Sequence, residues 1–186
     1  MLRLRGGRNA AVKFAYADPP YLGCGKKLYS RLHDRAADFD DPETHRQLIG
    51  RLSDEFPDGW ALSLHSPSLK TILPMCPDDC RVMAWVKPFC AFKANVTVAY
   101  AWEPVIVRGG RKRPRTMPTV RDWVSSVITL EKGCPGAKPE DFCIWLFDVL
   151  NMEPDDEFVD LFPGSGAVER AWRQYRRQGK LSLTFS

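Results

Sequence analysis

The chain has 186 residues, 44% of them hydrophobic and 11% aromatic, enough to bury a core as one soluble globular domain. No apolar stretch approaches the ~18–20 residues that span a bilayer, and residues 1–8 carry charge with no apolar core behind them. Neither a membrane segment nor a secretory signal is expected. The net charge of +4 says less than its distribution, since Arg108, Arg111, Lys112, Arg113 and Arg115 put five cations into eight residues.

The first element is a strand. Residues 11–17 are apolar except for Lys13, the pattern of a strand buried on both faces of a parallel sheet. It must end at Asp18-Pro19-Pro20, because proline has no N–H to continue a ladder. Residues 22–40 are polar, contain Gly23 and Gly25, and are expected to form a loop over the strand end with a short helix at most. Asp41-Pro42-Glu43 has the form of a helix start, with Asp41 as N-cap. Leu48, Ile49, Leu52 and Phe56 follow at helical spacing until Pro57-Asp58-Gly59 stops the helix. A second buried strand is expected at residues 60–64, and a short helix from Ser66-Pro67-Ser68 through Leu69, Ile72 and Leu73.

Strands are expected next at residues 81–86 and 100–107, with residues 89–99 as a loop between them and a short amphipathic segment at 120–130. Lys138-Pro139-Glu140-Asp141 opens a helix whose acidic first turn complements its dipole. Phe142, Trp145, Leu146, Val149 and Leu150 mark one face of that helix. A strand at 157–162, a glycine loop at Pro163-Gly164-Ser165-Gly166, a helix at 167–178 capped by Gly179 and a last strand at 181–185 complete the chain. Strands alternating with helices predict an α/β three-layer sandwich.

Two stretches carry chemistry. Asp18 and the Pro19 carbonyl, presented beyond the carboxyl end of a parallel strand, can accept two hydrogen bonds from one exocyclic amino group. Tyr21 can stack on the base that bears it. In Asp160-Leu161-Phe162-Pro163-Gly164-Ser165-Gly166, the glycines allow close backbone approach and a sharp turn into a helix whose free N–H groups face a ligand. Asp160 can pair with an ammonium and Phe162 can pack beside a purine. The six cysteines (Cys24, Cys76, Cys80, Cys90, Cys134, Cys143) are scattered through a chain too large to need disulfides and read as reduced thiols. Cys76 and Cys80 have the spacing of half a zinc site without a second pair, and His33, His45 and His65 form no cluster, so no metal is expected.

The turn Asp18-Pro19-Pro20-Tyr21 resembles the catalytic motif of the S-adenosylmethionine-dependent N6-adenine and N4-cytosine amino-methyltransferases. The glycine stretch resembles their cofactor motif, and Gly136-Ala137-Lys138-Pro139 the element that precedes it in permuted members. Trp85-Val86-Lys87-Pro88 and Glu103-Pro104-Val105-Ile106 resemble their middle-sheet elements. The motif order is that of the β-class DNA methyltransferases and the MT-A70-like enzymes, and the likeness, over residues 12–172, is nearest to small phage-borne adenine methylases.

The resemblance implies a Rossmann-like methyltransferase fold with permuted motif order, spanning residues 1–186 as a single catalytic domain without a target-recognition domain. Asp18, Pro19, Pro20 and Tyr21 become the catalytic residues. Asp160, Phe162, Pro163, Gly164, Ser165, Gly166, Lys138 and Asp18 become the S-adenosylmethionine site. Beside such a motif, Arg108, Arg111, Lys112, Arg113 and Arg115 read as a phosphate clamp at the target-facing rim, against the simpler reading of a solvated loop. The implied partner is double-stranded DNA, with a homodimer allowed, no membrane and a cytoplasmic setting, that of a bacterial host if phage-encoded.

One departure is that residues 181–186 hold no acid to bind the cofactor ribose. The leading expectation is transfer of a methyl group to adenine N6 in DNA after base flipping. RNA adenine and cytosine N4 remain alternatives, as does a non-catalytic nucleic-acid-binding partner subunit.

Overall fold

The computed structural model describes residues 12–30, 34–89, 96–128 and 137–178. Strand β1 (Lys13–Ala17) is buried as its apolar run requires, with Phe14 and Tyr16 facing one side of the sheet and Ala15 and Ala17 the other. The expected loop after it holds a π-helical turn (Gly25–Tyr29) and a 3-10 turn (Ala36–Asp40). Asp40 ties them together by accepting the backbone N–H groups of Gly25 at 2.7 Å and Lys26 at 3.0 Å. Gly25 is needed there, because a Cβ would lie 2.0 Å from the Ala36 carbonyl oxygen.

Helix α1 (Pro42–Glu55) starts where its cap predicts, the Asp41 carboxylate accepting from the Glu43 N–H at 2.9 Å. Strand β2 (Gly59–Ser63) is wholly buried. A short helix α2 (Leu69–Ile72), flanked by 3-10 turns at Ser66–Ser68 and Leu73–Met75, leads to β3 (Arg81–Val86). Strands β4 (Trp102–Gly109) and β5 (Trp123–Ser125), helix α3 (Glu140–Val149), strand β6 (Glu157–Asp160) and helix α4 (Ala167–Gln178) complete the described elements.

The six strands form one mixed sheet in the order β5-β3-β4-β2-β1-β6. β1 pairs in parallel with β2 and β6, and β3 with β5, whereas β4 runs antiparallel to both β2 and β3. The carboxyl ends of every strand but β4 therefore meet at one edge. Helices α3 and α4 cover one face, burying Phe142, Trp145, Leu146, Phe147, Trp172 and Tyr175 against Phe14, Tyr16 and Trp85. Helices α1 and α2 cover the other, where Leu48, Ile49, Leu52 and Ile72 meet Ala15, Trp60 and Leu62. The layers are those expected of an α/β sandwich.

Several boundaries differ from expectation, β2 by one residue at each end. β4 begins at Trp102 and runs through Arg108 and Gly109, because these still pair with Trp60 and Gly59. β6 stops at Asp160, and the segment at 120–130 supplies the short edge strand β5. None of the four described cysteines (Cys24, Cys76, Cys80, Cys143) is in a disulfide. The expected strand at 181–185, the Gly179 cap, His33, Cys90, Cys134 and Gly136 lie outside the described residues. Among the described residues, no helix is long and apolar enough to cross a membrane.

Candidate active site

β1 ends at Ala17, and its prolines turn the chain at the sheet edge, with Pro19 buried and Asp18 and Tyr21 half-buried. Beneath the turn, the Tyr16 and Ser63 hydroxyls are hydrogen-bonded at 2.7 Å, joining β1 to β2. Asp18 Oδ2 lies 2.9 Å from Lys138 Nζ, just ahead of α3, and Asp18 Oδ1 accepts from the Tyr21 hydroxyl at 3.2 Å. The Tyr21 hydroxyl has one proton, and its shorter bond, 2.7 Å, is to Glu103 Oε2 on β4. Lys138 Nζ is also 3.6 Å from that Glu103 oxygen, and Lys87, at the end of β3, binds the other. Both ammonium groups sit over the Trp85 ring, 4.9 Å and 5.3 Å from its centroid, so an aromatic floor adds cation–π attraction.

Two carboxylates and two lysines thus form a neutral quartet around the Tyr21 hydroxyl. Lys138 is only 4% exposed, a position that normally disfavours the charged ammonium. Asp18 and Glu103 outweigh that burial and hold its pKa above the ordinary lysine value. Burial likewise opposes the Glu103 charge, but Lys138 and Lys87 bring its pKa below the usual glutamate value. For Asp18, burial dominates over Lys138, and its pKa is raised. Burial, with Asp18 and Glu103 nearby, keeps Tyr21 protonated as a hydrogen-bond donor.

The glycine stretch lies next door. Tyr16 of β1 is paired with Asp160 of β6, and the Leu161 N–H donates to the Tyr16 carbonyl at 2.9 Å. Asp160 Oδ1 accepts from the Phe162 N–H at 3.2 Å, whereas Oδ2 is buried with no hydrogen-bond partner among the described residues. Burial raises its pKa to about 6. Gly164 (φ +46°) and Gly166 (φ +72°) turn the chain through the left-handed region that side chains resist. Ser165 Oγ then accepts from the Ala167 N–H at 3.3 Å and opens α4. The structure therefore brings together Asp18, Pro19, Pro20, Tyr21, Lys138, Asp160, Phe162, Pro163, Gly164, Ser165 and Gly166 at one edge.

The basic stretch does not join them. Because β4 is antiparallel, Arg108 and the residues after it leave at the amino ends of β1 and β2, the edge opposite Asp18. A clamp at the target-facing rim is thereby corrected. Arg108 pairs with Asp79 at 2.8 Å, and Arg111 pairs with the buried Asp156. Arg113 donates to the Asp148 carbonyl at 2.5 Å, while Lys112 and Arg115 are exposed.

Three residues at the site carry no role in the sequence reading. Glu103 and Lys87 stand there only as sheet elements, and His65 as a lone histidine. His65 stacks on the Tyr21 ring, with centroids 5.3 Å apart and planes at 11°. All three lie where a strand begins or ends at the edge that carries Asp18, the one signal that points to them.

No family profile and no curated protein matches the sequence. Solved structures do. M1.HpyAVI in complex with SAM is 14% identical with a TM-score of 0.57, over 89% of this chain and 79% of that one. TTHA0409 from Thermus thermophilus, a candidate DNA modification methylase complexed with S-adenosyl-L-methionine, is 16% identical with a TM-score of 0.52, over 89% of this chain and 78% of that one. The likeness is one of fold. This is the α/β fold of S-adenosylmethionine-dependent methyltransferases.

Proposed function

We propose that the protein binds S-adenosylmethionine and transfers its methyl group to the exocyclic N6 amino group of adenine in DNA, with the base flipped from the duplex. The observation that carries this reading is the pairing of β1 with β6. It sets an acid–proline–proline–tyrosine turn beside an acid followed by a glycine turn. The fold shared with two proteins seen with this cofactor supports the same reading. Adenine is favoured over cytosine because the first motif position is Asp18; the N4-cytosine enzymes that the motif resembles more often have serine there.

The residues fit the cofactor. Asp160 Oδ2 is a buried acceptor with no partner among the described residues, which an ammonium would satisfy. Phe162 offers an apolar wall for the purine, the turn at Pro163, Gly164, Ser165 and Gly166 admits close approach of the backbone, and Lys138 and Asp18 border the site. When bound, S-adenosylmethionine supplies an electrophilic methyl group. The protein's part is positioning. An exocyclic amine is a poor nucleophile because its lone pair is delocalised into the ring. Asp18 and the Pro19 carbonyl accept its two hydrogens and localise that lone pair, while Lys138 holds the Asp18 carboxylate still. Tyr21 receives the flipped base on its ring. The chain acts as one catalytic domain in the cytoplasm, and base reading falls to short loops such as residues 22–40.

Methylation of plasmid DNA, read by nucleoside mass spectrometry, tests this. N6-methyladenine is expected, lost in Asp18→Ala while calorimetric cofactor affinity stays nearly intact. Methylcytosine alone, or methylated RNA alone, would move the substrate. Full activity in Asp18→Ala would overturn the catalytic assignment, and cofactor binding without any methyl transfer would make this a non-catalytic nucleic-acid-binding subunit.

A further inference from the structure

Tyr21 is held at both ends. Its hydroxyl is anchored to Glu103 at 2.7 Å and Asp18 at 3.2 Å, and one face of its ring lies against His65. His65 is held too. Its Nδ1 is hydrogen-bonded to Ser68 Oγ at 2.5 Å, Ser68 is buried, and the Ser68 N–H returns to the His65 carbonyl at 3.0 Å. His65 follows β2 and Tyr21 follows β1, neighbouring parallel strands whose carboxyl ends share the reacting edge. Near-parallel rings with centroids 5.3 Å apart are in offset contact, with no room for a third ring between them.

From this we infer that His65 is a positioning residue for the target base. It backs the Tyr21 ring, closes one of its faces, and leaves the opposite face as the only stacking surface a flipped base can use. The inference rests on the functional reading above. It gives the target base a defined side of approach, and it makes the tyrosine a preorganised wall rather than a ring that must be ordered as each base arrives.

The test compares wild type, His65→Ala and His65→Phe, with plasmid DNA as the substrate. His65→Ala should lower kcat/KM for DNA by roughly two- to twelvefold, the range of a lost aromatic pair, with S-adenosylmethionine affinity unchanged. His65→Phe, which restores a flat ring, should recover most of the loss. Proton NMR reads the stack without activity: the His65 ring signals should carry an upfield ring-current shift that disappears in Tyr21→Leu. Wild-type kinetics in His65→Ala would overturn the positioning role alone. A faster His65→Ala would overturn it in favour of a ring that occupies the base's place. Wild-type protein that methylates no nucleic acid would overturn the functional reading, and this role with it, even if the ring-current shift is present.

Discussion

A carboxylate enclosed by a glycine turn titrates late, and burial lifts Asp160 from an ordinary 3.8 to about 6. Its ionised form is the one that folding disfavours. The fold therefore loses stability as pH rises from the unfolded value through about 6, and has none of that loss below the unfolded value. Asp160→Asn should raise the Tm of the cofactor-free protein above about pH 7, with the gain shrinking as pH falls toward about 4. Ligand binding should show the opposite sign. An ammonium needs the ionised carboxylate, so calorimetric affinity for S-adenosylmethionine should fall as pH drops through about 6. The asparagine variant should bind weakly and with a flatter pH profile.

Helix α3 is buried on all sides along Phe142, Cys143, Ile144, Trp145, Leu146 and Phe147. The Phe142 ring touches Tyr16, Trp85 and Trp145 at centroid distances of 5.9, 5.3 and 5.7 Å, with the Lys138 ammonium over it. Phe142→Ala should destabilise the protein by about 3–5 kcal/mol, seen as a lower urea midpoint, with Phe142→Leu milder. This helix, β1 and α1 were legible in the sequence because periodicity and caps are local signals. Asp18, Tyr21, Lys138 and Asp160 were legible as motifs. The end of β4 was not, because Arg108 breaks the apolar run while its backbone still pairs with Trp60. Nor was His65: its meaning lies in a ring on another strand, which no spacing within its own segment announces.

Across the molecule, the one reversed strand decides where charge goes. β4 enters at the reacting edge with Glu103 and leaves at the far edge with Arg108, so five clustered cations face away from Asp18. The direction of a strand cannot be read from its apolar pattern, which is why the sequence placed them at the rim. Three of them, Arg108, Arg111 and Arg113, are engaged within the fold. Arg111 neutralises Asp156, whose side chain is only 5% exposed, and removing one partner of such a pair typically costs about 3–5 kcal/mol. Arg111→Ala with Arg113→Ala should therefore lower Tm. The slope of log DNA affinity against log salt should change by less than the ~0.9 that one phosphate contact contributes; a slope flattened by roughly two would return phosphate to this edge. The pairing of Tyr16 with Asp160 has a consequence in time. Its strands come from opposite ends of the described chain, and such long-range closures are entropically the dearest and the slowest to form. The turn at Asp18–Tyr21 is synthesised long before the glycine turn, and the two are not side by side until β6 docks, so on the proposed reading the folding chain has no complete cofactor site. S-adenosylmethionine added during refolding should leave the refolding rate unchanged and slow only unfolding, making the ligand a lock on the finished fold rather than a template for it.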